Sequence, residues 1–149
     1  MICAIALGSN LGDRTAHLDF AVEKLKPIVD NLSLSRYYDT APVGVAGLQP
    51  TYLNAAAVGT TSLRARALLD ALLVIENSRG RTRPFNNAPR TLDLDLILYG
   101  DAMFDEPGLQ VPHPRFRERR FVLEPLVEIA PDLRDPVTGK TMRELLAAL

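Results

Sequence analysis

The chain has 149 residues, 47% of them hydrophobic and 23% charged, with a formal net charge of −1. This is the make-up of one globular domain, residues 1–149, large enough for a real core, and it excludes a global field that would recruit nucleic acid or a membrane surface. Cys3 is the only cysteine, so no intrachain disulfide can form, and the most apolar window, Leu68 to Ile75, is broken by Asp70 and too short to span a bilayer. No basic segment followed by a long apolar run opens the chain, so a reducing cytoplasm is the expected compartment.

Ile2 to Leu7 is a short apolar run ending at Gly8-Ser9-Asn10, which predicts a strand and a turn, with Cys3 an inert buried thiol. Asp13 is placed to cap a helix whose buried stripe is Leu18, Ala21, Val22 and Leu25, ending near Pro27. His17 falls beside exposed positions of that helix and is expected at the surface. Leu32 to Tyr38 alternates like a strand, 40–50 is a loop rich in Gly, Pro and Ala, and Tyr52 to Thr60 resumes strand character. A second helix over Leu63 to Arg79 carries the stripe Leu68, Ala71, Leu72 and Ile75, and a loop follows from Gly80 to Pro89.

The next segment, Arg90-Thr91-Leu92-Asp93-Leu94-Asp95-Leu96-Ile97-Leu98-Tyr99, is the most informative of the chain. As a strand it sets Leu92, Leu94, Leu96 and Leu98 on one apolar face and Asp93 and Asp95 on the other, roughly 6.6–7 Å apart. Asp is a poor strand residue, and two acids so placed repel unless a cation lies between them. A divalent cation held by both is the preferred reading, with a half-buried strand whose outer face is wet as the alternative. Beyond it, Met103 to Val111 suggests a short strand pair, Phe116 to Ile129 a helix around Pro125, and Thr141 to Ala148 a final helix.

The order β-α-β-β-α-β predicts an α+β, ferredoxin-like antiparallel sheet with two helices packed on one face, plus C-terminal strand and helix additions. The face opposite the helices would carry Asp93 and Asp95 and stay free to form a site, walled by the loops at 40–50 and 80–90.

Of the 17 basic residues, 14 are arginines. Arg79, Arg81, Arg83 and Arg90 lie in a stretch with no acid, and Arg115, Arg117, Arg119 and Arg120 lie in another with only Glu118. Arginine is favoured where phosphate is bound in a planar, bidentate way, although a solvated basic loop would share this composition. Paired carboxylates plus arginines suit phosphoryl transfer with Mg²⁺. The P-loop and protein-kinase signatures are absent, and neither Ser9 nor Ser78 has a readable His partner. His113, in Val-Pro-His-Pro, is held by prolines on both sides and is either a surface loop residue or a placed contact.

These residues resemble the family of 6-hydroxymethyl-7,8-dihydropterin pyrophosphokinases of folate synthesis. The likeness covers nearly the whole chain. It rests on Leu7-Gly8-Ser9-Asn10-Leu11-Gly12, Tyr52-Leu53-Asn54-Ala55-Ala56, Gly80-Arg81-Thr82-Arg83, Pro89 to Asp95, Val111-Pro112-His113-Pro114, and Arg119-Arg120-Phe121. The resemblance implies an ATP-dependent diphosphotransferase that moves pyrophosphate from ATP to the pterin hydroxymethyl group and releases AMP. It implies two Mg²⁺ ions on Asp93 and Asp95, triphosphate contacts from Arg81, Arg90, Arg119 and His113, and a loop contribution from Arg83. Glu76 and Leu96 fall where the family lines its nucleotide pocket. Asn54 would hydrogen-bond the pterin, Tyr52 and Phe121 would hold it, and backbone groups near Thr40 and Val43 would complete its edge.

The chain departs from some members in having no tryptophan before Pro89-Arg90, where Phe85, Asn86 and Asn87 stand, and in having Pro114 and Gly108 where an aromatic and an arginine occur. The loop from Thr82 to Pro89 is expected to be mobile and to close over ATP. Neither nucleic acid nor an obligate protein partner is expected. The rival readings are a two-metal nucleotidyltransferase, an RRM-like binding module, which needs exposed aromatics where this chain has aspartates, and a small-molecule regulatory module.

Overall fold

The computed structural model describes residues 1–40, 51–79 and 91–149. In chain order these form β1 (Ile2–Ser9), α1 (Arg14–Leu25), β2 (Asp30–Leu34), β3 (Tyr38–Thr40), β4 (Tyr52–Thr60), α2 (Ala65–Ser78) and β5 (Asp93–Tyr99). They continue with β6 (Phe104–Glu106), β7 (Leu109–Val111), a 3₁₀ turn at Phe116–Glu118, α3 (Arg120–Ile129) and α4 (Met142–Ala147). The main sheet runs β2-β4-β1-β5, with β3 also on β4, and every pairing in it is antiparallel. β6 and β7 form a separate hairpin.

Local signals in the sequence account for most of these boundaries. The Asp13 carboxylate accepts from the Ala16 N–H at 3.1 Å and starts α1, whose buried residues are Leu18, Ala21, Val22 and Leu25 as the periodicity predicts. α4 opens on a capping box in which Thr141 and Glu144 bond each other's backbone. The strand expected over 32–38 divides into β2 and β3. The Ser35 hydroxyl replaces a backbone acceptor for the Ala56 N–H, at 2.8 Å, and the Arg36 N–H leaves the ladder for the Glu128 carboxylate, at 3.0 Å.

Two apolar clusters sandwich the sheet. Cys3, Ile5, Leu7, Leu53, Ala55, Ala57, Leu94 and Leu96 face α1 and α2, while Ala4, Ala56, Ile97 and Leu98 face α3 and α4. α1 and α2 share one face as expected, while α3 and α4 lie on the opposite face, which was expected to stay free. The C-terminal additions form a third layer over the Ala4, Ala56 and Ile97 part of the face expected to be open, because Val122, Leu123, Leu126, Met142 and Leu145 need apolar cover of their own. Burial pushes the Cys3 thiol up to about 11, which fits an inert interior residue.

The leucine face of β5 is also shorter than strict alternation implies. Ala4 pairs with Leu98 and Ile5 with Leu96, so Ile97 is an extra residue at a β-bulge. Past it the faces exchange. Leu98 joins Ile97 under α3, and Tyr99 turns to the first cluster, where its hydroxyl donates to the Leu63 carbonyl.

Candidate active site

Paired residues on neighbouring antiparallel strands share a face. In the central strand β1, Gly8 stands between Asp93 on one side and Asn54 on the other, and Ala6 stands between Asp95 and Ala56. Small side chains thus make a low floor, with two acids along one wall and an amide along the other. Where the floor continues to Ala4, α3 covers it; where it continues to Gly8, it is the part of the sheet that offers polar groups. A Cβ on Gly8 would lie 3.1 Å from Asn54 Oδ1, so the amide oxygen leans over the floor where glycine leaves room.

Asn54 is 6% exposed, and its Nδ2 donates to Thr40 Oγ1 at 2.5 Å. Tyr52 pairs with Thr40, and Tyr38 with Asn54, so the structure gathers Thr40, Tyr52 and Asn54 at one place. Thr40 acts there through its side chain. By taking the amide N–H it fixes which end of Asn54 faces the floor.

Asp93 and Asp95 are half-buried on the edge strand β5. Between them, the Leu94 N–H donates to Glu76 Oε2 at 2.7 Å. Glu76, 3% exposed on α2, thereby holds the edge of β5. A cavity of about 280 Å³ adjoins that edge, lined among others by Leu94, Asp95, Leu96, Val111 and His113. Leu96 borders this space, and Glu76 supports the strand beside it.

The His113 N–H donates to the Ile97 carbonyl at 3.0 Å, tying the Val-Pro-His-Pro segment to β5. Its imidazole Nδ1 accepts from the Arg115 N–H at 3.2 Å. Burial lowers the His113 pKa, the Asp95 charge opposes this, and Arg119 and Arg115 lower it further. The ring is thus biased toward its neutral form, with Nε2 carrying the proton. Arg119 leads into α3, its guanidinium 5.6 Å from the Phe121 ring centre, and Phe121 is half-buried against the second apolar cluster. The structure therefore brings Asp93, Asp95, Leu96 and His113 together along β5, and Thr40, Tyr52 and Asn54 across the floor. Val43, Arg81, Arg83 and Arg90, with the loop from Thr82 to Pro89, lie outside the described residues.

Three supporting arrangements were not read from the sequence. Arg14 Nη1 donates to Asp39 Oδ1 at 2.8 Å and to Thr51 Oγ1 and the Thr51 carbonyl at 2.9 Å, joining α1 to the residues on either side of 41–50. His17 is not a plain surface residue, since its Nδ1 accepts from Arg79 Nε at 3.0 Å and lies 2.8 Å from Nη2. The third is the ion pair of Arg117 with Asp135. All span long sequence separations; only the short Asp-Arg motif after Gly12 hints at the first.

Among the described residues no three His, Cys, Asp or Glu side chains cluster as a ready-made metal cage. Two half-buried carboxylates on one face still suit Mg²⁺, which usually takes one or two carboxylates and completes its oxygen shell with phosphates and water.

The described residues thus form a small α+β fold with two acids and an amide on one sheet face. The model of the family described as 7,8-dihydro-6-hydroxymethylpterin-pyrophosphokinase (HPPK) matches residues 4–131. The 2-amino-4-hydroxy-6-hydroxymethyldihydropteridine pyrophosphokinase of Pseudomonas aeruginosa is 42% identical over 146 residues, covering 97% of this chain and 89% of that protein. The protein of the same name from Methylorubrum extorquens is 43% identical over 147 residues, covering 97% and 91%. The solved structure of wild-type HPPK-DHPS from Plasmodium falciparum is similar in fold, with a TM-score of 0.78 at 14% identity, over 99% of this chain and 44% of that one, so this chain spans less than half of that protein. The chain belongs to the HPPK family and is a pyrophosphokinase of folate biosynthesis.

Proposed function

We propose that the site works as follows: Asp93 and Asp95 hold two Mg²⁺ ions with ATP, Asn54 and Phe121 hold 6-hydroxymethyl-7,8-dihydropterin, and the pterin hydroxyl attacks the β-phosphorus. The observation that carries this reading is the pairing of both acids and the amide across Gly8 and Ala6, which leaves room for a flat ring beside a charged group. In the transfer, the hydroxymethyl oxygen forms a bond to the β-phosphorus as the bond from that phosphorus to the α–β bridging oxygen breaks. AMP leaves with that oxygen, and the hydroxyl proton passes to solvent. Bound Mg²⁺ would supply charge neutralisation on the phosphate oxygens and orientation of the attacking group.

The remaining steps belong to the chain's own groups. Asn54, oriented by Thr40, presents Oδ1 to ring N–H donors, and Phe121 offers a stacking face at the start of α3. Neutral His113, with Nδ1 engaged by the Arg115 N–H, has Nε2–H to donate to a phosphate oxygen, and Arg119 adds a positive charge. Arg81, Arg83 and Arg90 complete the triphosphate contacts in this reading, as Tyr52, the backbone near Thr40 and Val43 complete the pterin pocket. Leu96 borders the nucleotide in this reading.

A ferredoxin-like topology is the finer reading of the fold, supported by the order β2-β4-β1-β5 with α1 and α2 on one side. A single working domain over 1–149, in the cytoplasm and without an obligate protein partner, completes the proposal. Among the described residues no helix is long and apolar enough to cross a membrane. The test is an assay of purified protein with ATP, hydroxymethyl-dihydropterin and Mg²⁺, scoring AMP against ADP. Pterin-dependent AMP is the expected product; ADP, or turnover indifferent to pterin, would overturn the reading.

A further inference from the structure

The segment from His113 to Phe121 carries four arginines with different fates. Arg115 and Arg119 act electrostatically on His113, and Arg120 reaches Glu124 at 3.4 Å on the exposed side of α3. Arg117 is turned inward. Its Nε donates to Asp135 Oδ2 at 2.5 Å and its Nη2 to Asp135 Oδ1 at 2.9 Å, while its guanidinium lies 4.8 Å from the centre of the fully buried Phe116 ring.

Asp135 has 0% exposure and accepts two further bonds, from the Val137 N–H at 3.0 Å and from Thr138 Oγ1 at 2.7 Å. Burial alone would raise its pKa, but the bonds from Arg117, Thr138 and Val137 outweigh this and hold the carboxyl below its ordinary value. The loop around it is closed by the Asp135 N–H on the Lys140 carbonyl at 2.9 Å and the Gly139 N–H on the Asp135 carbonyl at 2.7 Å. A fully satisfied buried carboxylate is a fixed point, and Arg117 is the only arginine of the segment bound to it.

α3 has no side-chain cap at its N-terminus, and the 3₁₀ turn before it spans only Phe116–Glu118. The segment is held to the sheet at His113 and to the core at Phe116. The turn closes on itself through the Glu118 N–H on the Arg115 carbonyl and the Arg119 N–H on the Phe116 carbonyl, both at 3.1 Å, and the bidentate Arg117–Asp135 pair ties that closed turn to the loop at 135–140.

We propose that Asp135, acting through Arg117, is a positioning residue for the ATP site, setting the turn so that Arg119 and His113 meet the nucleotide phosphates. This rests on the reading of His113 and Arg119 given above. Replacing a buried pair by apolar residues preserves folding better than removing one partner, so the decisive variant is the double Arg117→Met, Asp135→Leu. It is compared with Asp135→Asn, Arg119→Ala and the triple combination. The probe is a non-hydrolysable ATP analogue with Mg²⁺, titrated by calorimetry on the full chain beside a melting curve.

The expected result is a double variant that melts near the wild type yet binds the analogue on the order of tenfold more weakly, as a small misplacement of a clamp implies. Arg119→Ala should then cost much less in the double variant than in the wild type, since its advantage is already lost. A staple with a purely structural role would shift melting and leave that coupling at zero, which would overturn the proposal, as would wild-type affinity in the double variant. If Arg119→Ala alone leaves affinity unchanged, the reading of the site fails first. Should the double variant not fold, Asp135→Asn, measured below its melting midpoint, tests the same coupling with the same two outcomes.

Discussion

Thr40 and Asn54 meet across β3 and β4 through one hydrogen bond, and it decides which face of a buried amide is offered to the floor. Asn54 was legible in the sequence only through the Tyr-Leu-Asn-Ala-Ala motif, and the side-chain role of Thr40 was not, because strand register is not written locally. Thr40→Val keeps the shape but strands the Nδ2 donor, at a cost of about 1–3 kcal/mol for an unsatisfied buried group. Pterin binding should weaken by roughly ten- to a hundred-fold with nucleotide binding spared, read by separate titrations of the two ligands; weakened nucleotide binding with pterin intact would mean that the two pockets are exchanged. The acids were legible from the strand period itself. Asp95→Ala should lower turnover by about a thousand-fold or more while the melting curve stays within a few degrees of the wild type. Wild-type turnover in that variant would remove Asp95 from the metal site.

At the scale of elements, α1 and α2 followed from apolar spacing, since a helix three to four turns long repeats its stripe often enough to be read. β5 shows where that reading stops. Alternation assumes one residue per step, and the bulge at Ile97 breaks it without a sequence mark, so Leu98 and Tyr99 trade faces. The third layer was likewise illegible as a layer, although α3 and α4 were expected as helices, because nothing local says which sheet face a helix covers. The close approach of β2 to β4 has the same character. A Cβ on Gly59 would lie 2.5 Å from a Val29 methyl and 2.6 Å from the Asp30 carbonyl, and the latter is backbone that cannot swing aside. Gly59→Ala should therefore destabilise by about 1–3 kcal/mol, as overpacked cores do. The expected fall in Tm is about 2–4 °C per kcal/mol. An unchanged midpoint would show that β2 can shift at no cost.

Across the whole molecule, two imidazoles use Nδ1 as an acceptor, His17 from Arg79 and His113 from the Arg115 N–H. Burial lowers the pKa of each; Arg79 lowers that of His17 further against Asp13 and the Leu11 carbonyl, and Arg119 and Arg115 act likewise on His113 against Asp95. A folded-state pKa below the ordinary 6.5 means that the unfolded chain takes up a proton first as pH falls. Stability from these groups is thus complete above pH 6.5 and drains away below it. The carboxyls of Asp39, Glu128, Asp135 and Glu144 are also lowered, so their contribution is lost further down, below their ordinary 3.8 to 4.5. Cys3 works at the other end, since a thiol raised from 9.0 to about 11 contributes stability that fades as pH climbs through that interval. Urea unfolding at a series of pH values should accordingly show a plateau near neutrality, a shallow loss as pH drops below 6.5, and a steeper one below about 4.5. His17→Gln can still accept from Arg79 but cannot be protonated, so it should shrink the shallow step to the share of His113 and leave the steep one in place. A shallow step of unchanged size in that variant would show that the His17–Arg79 contact does not hold its ring neutral.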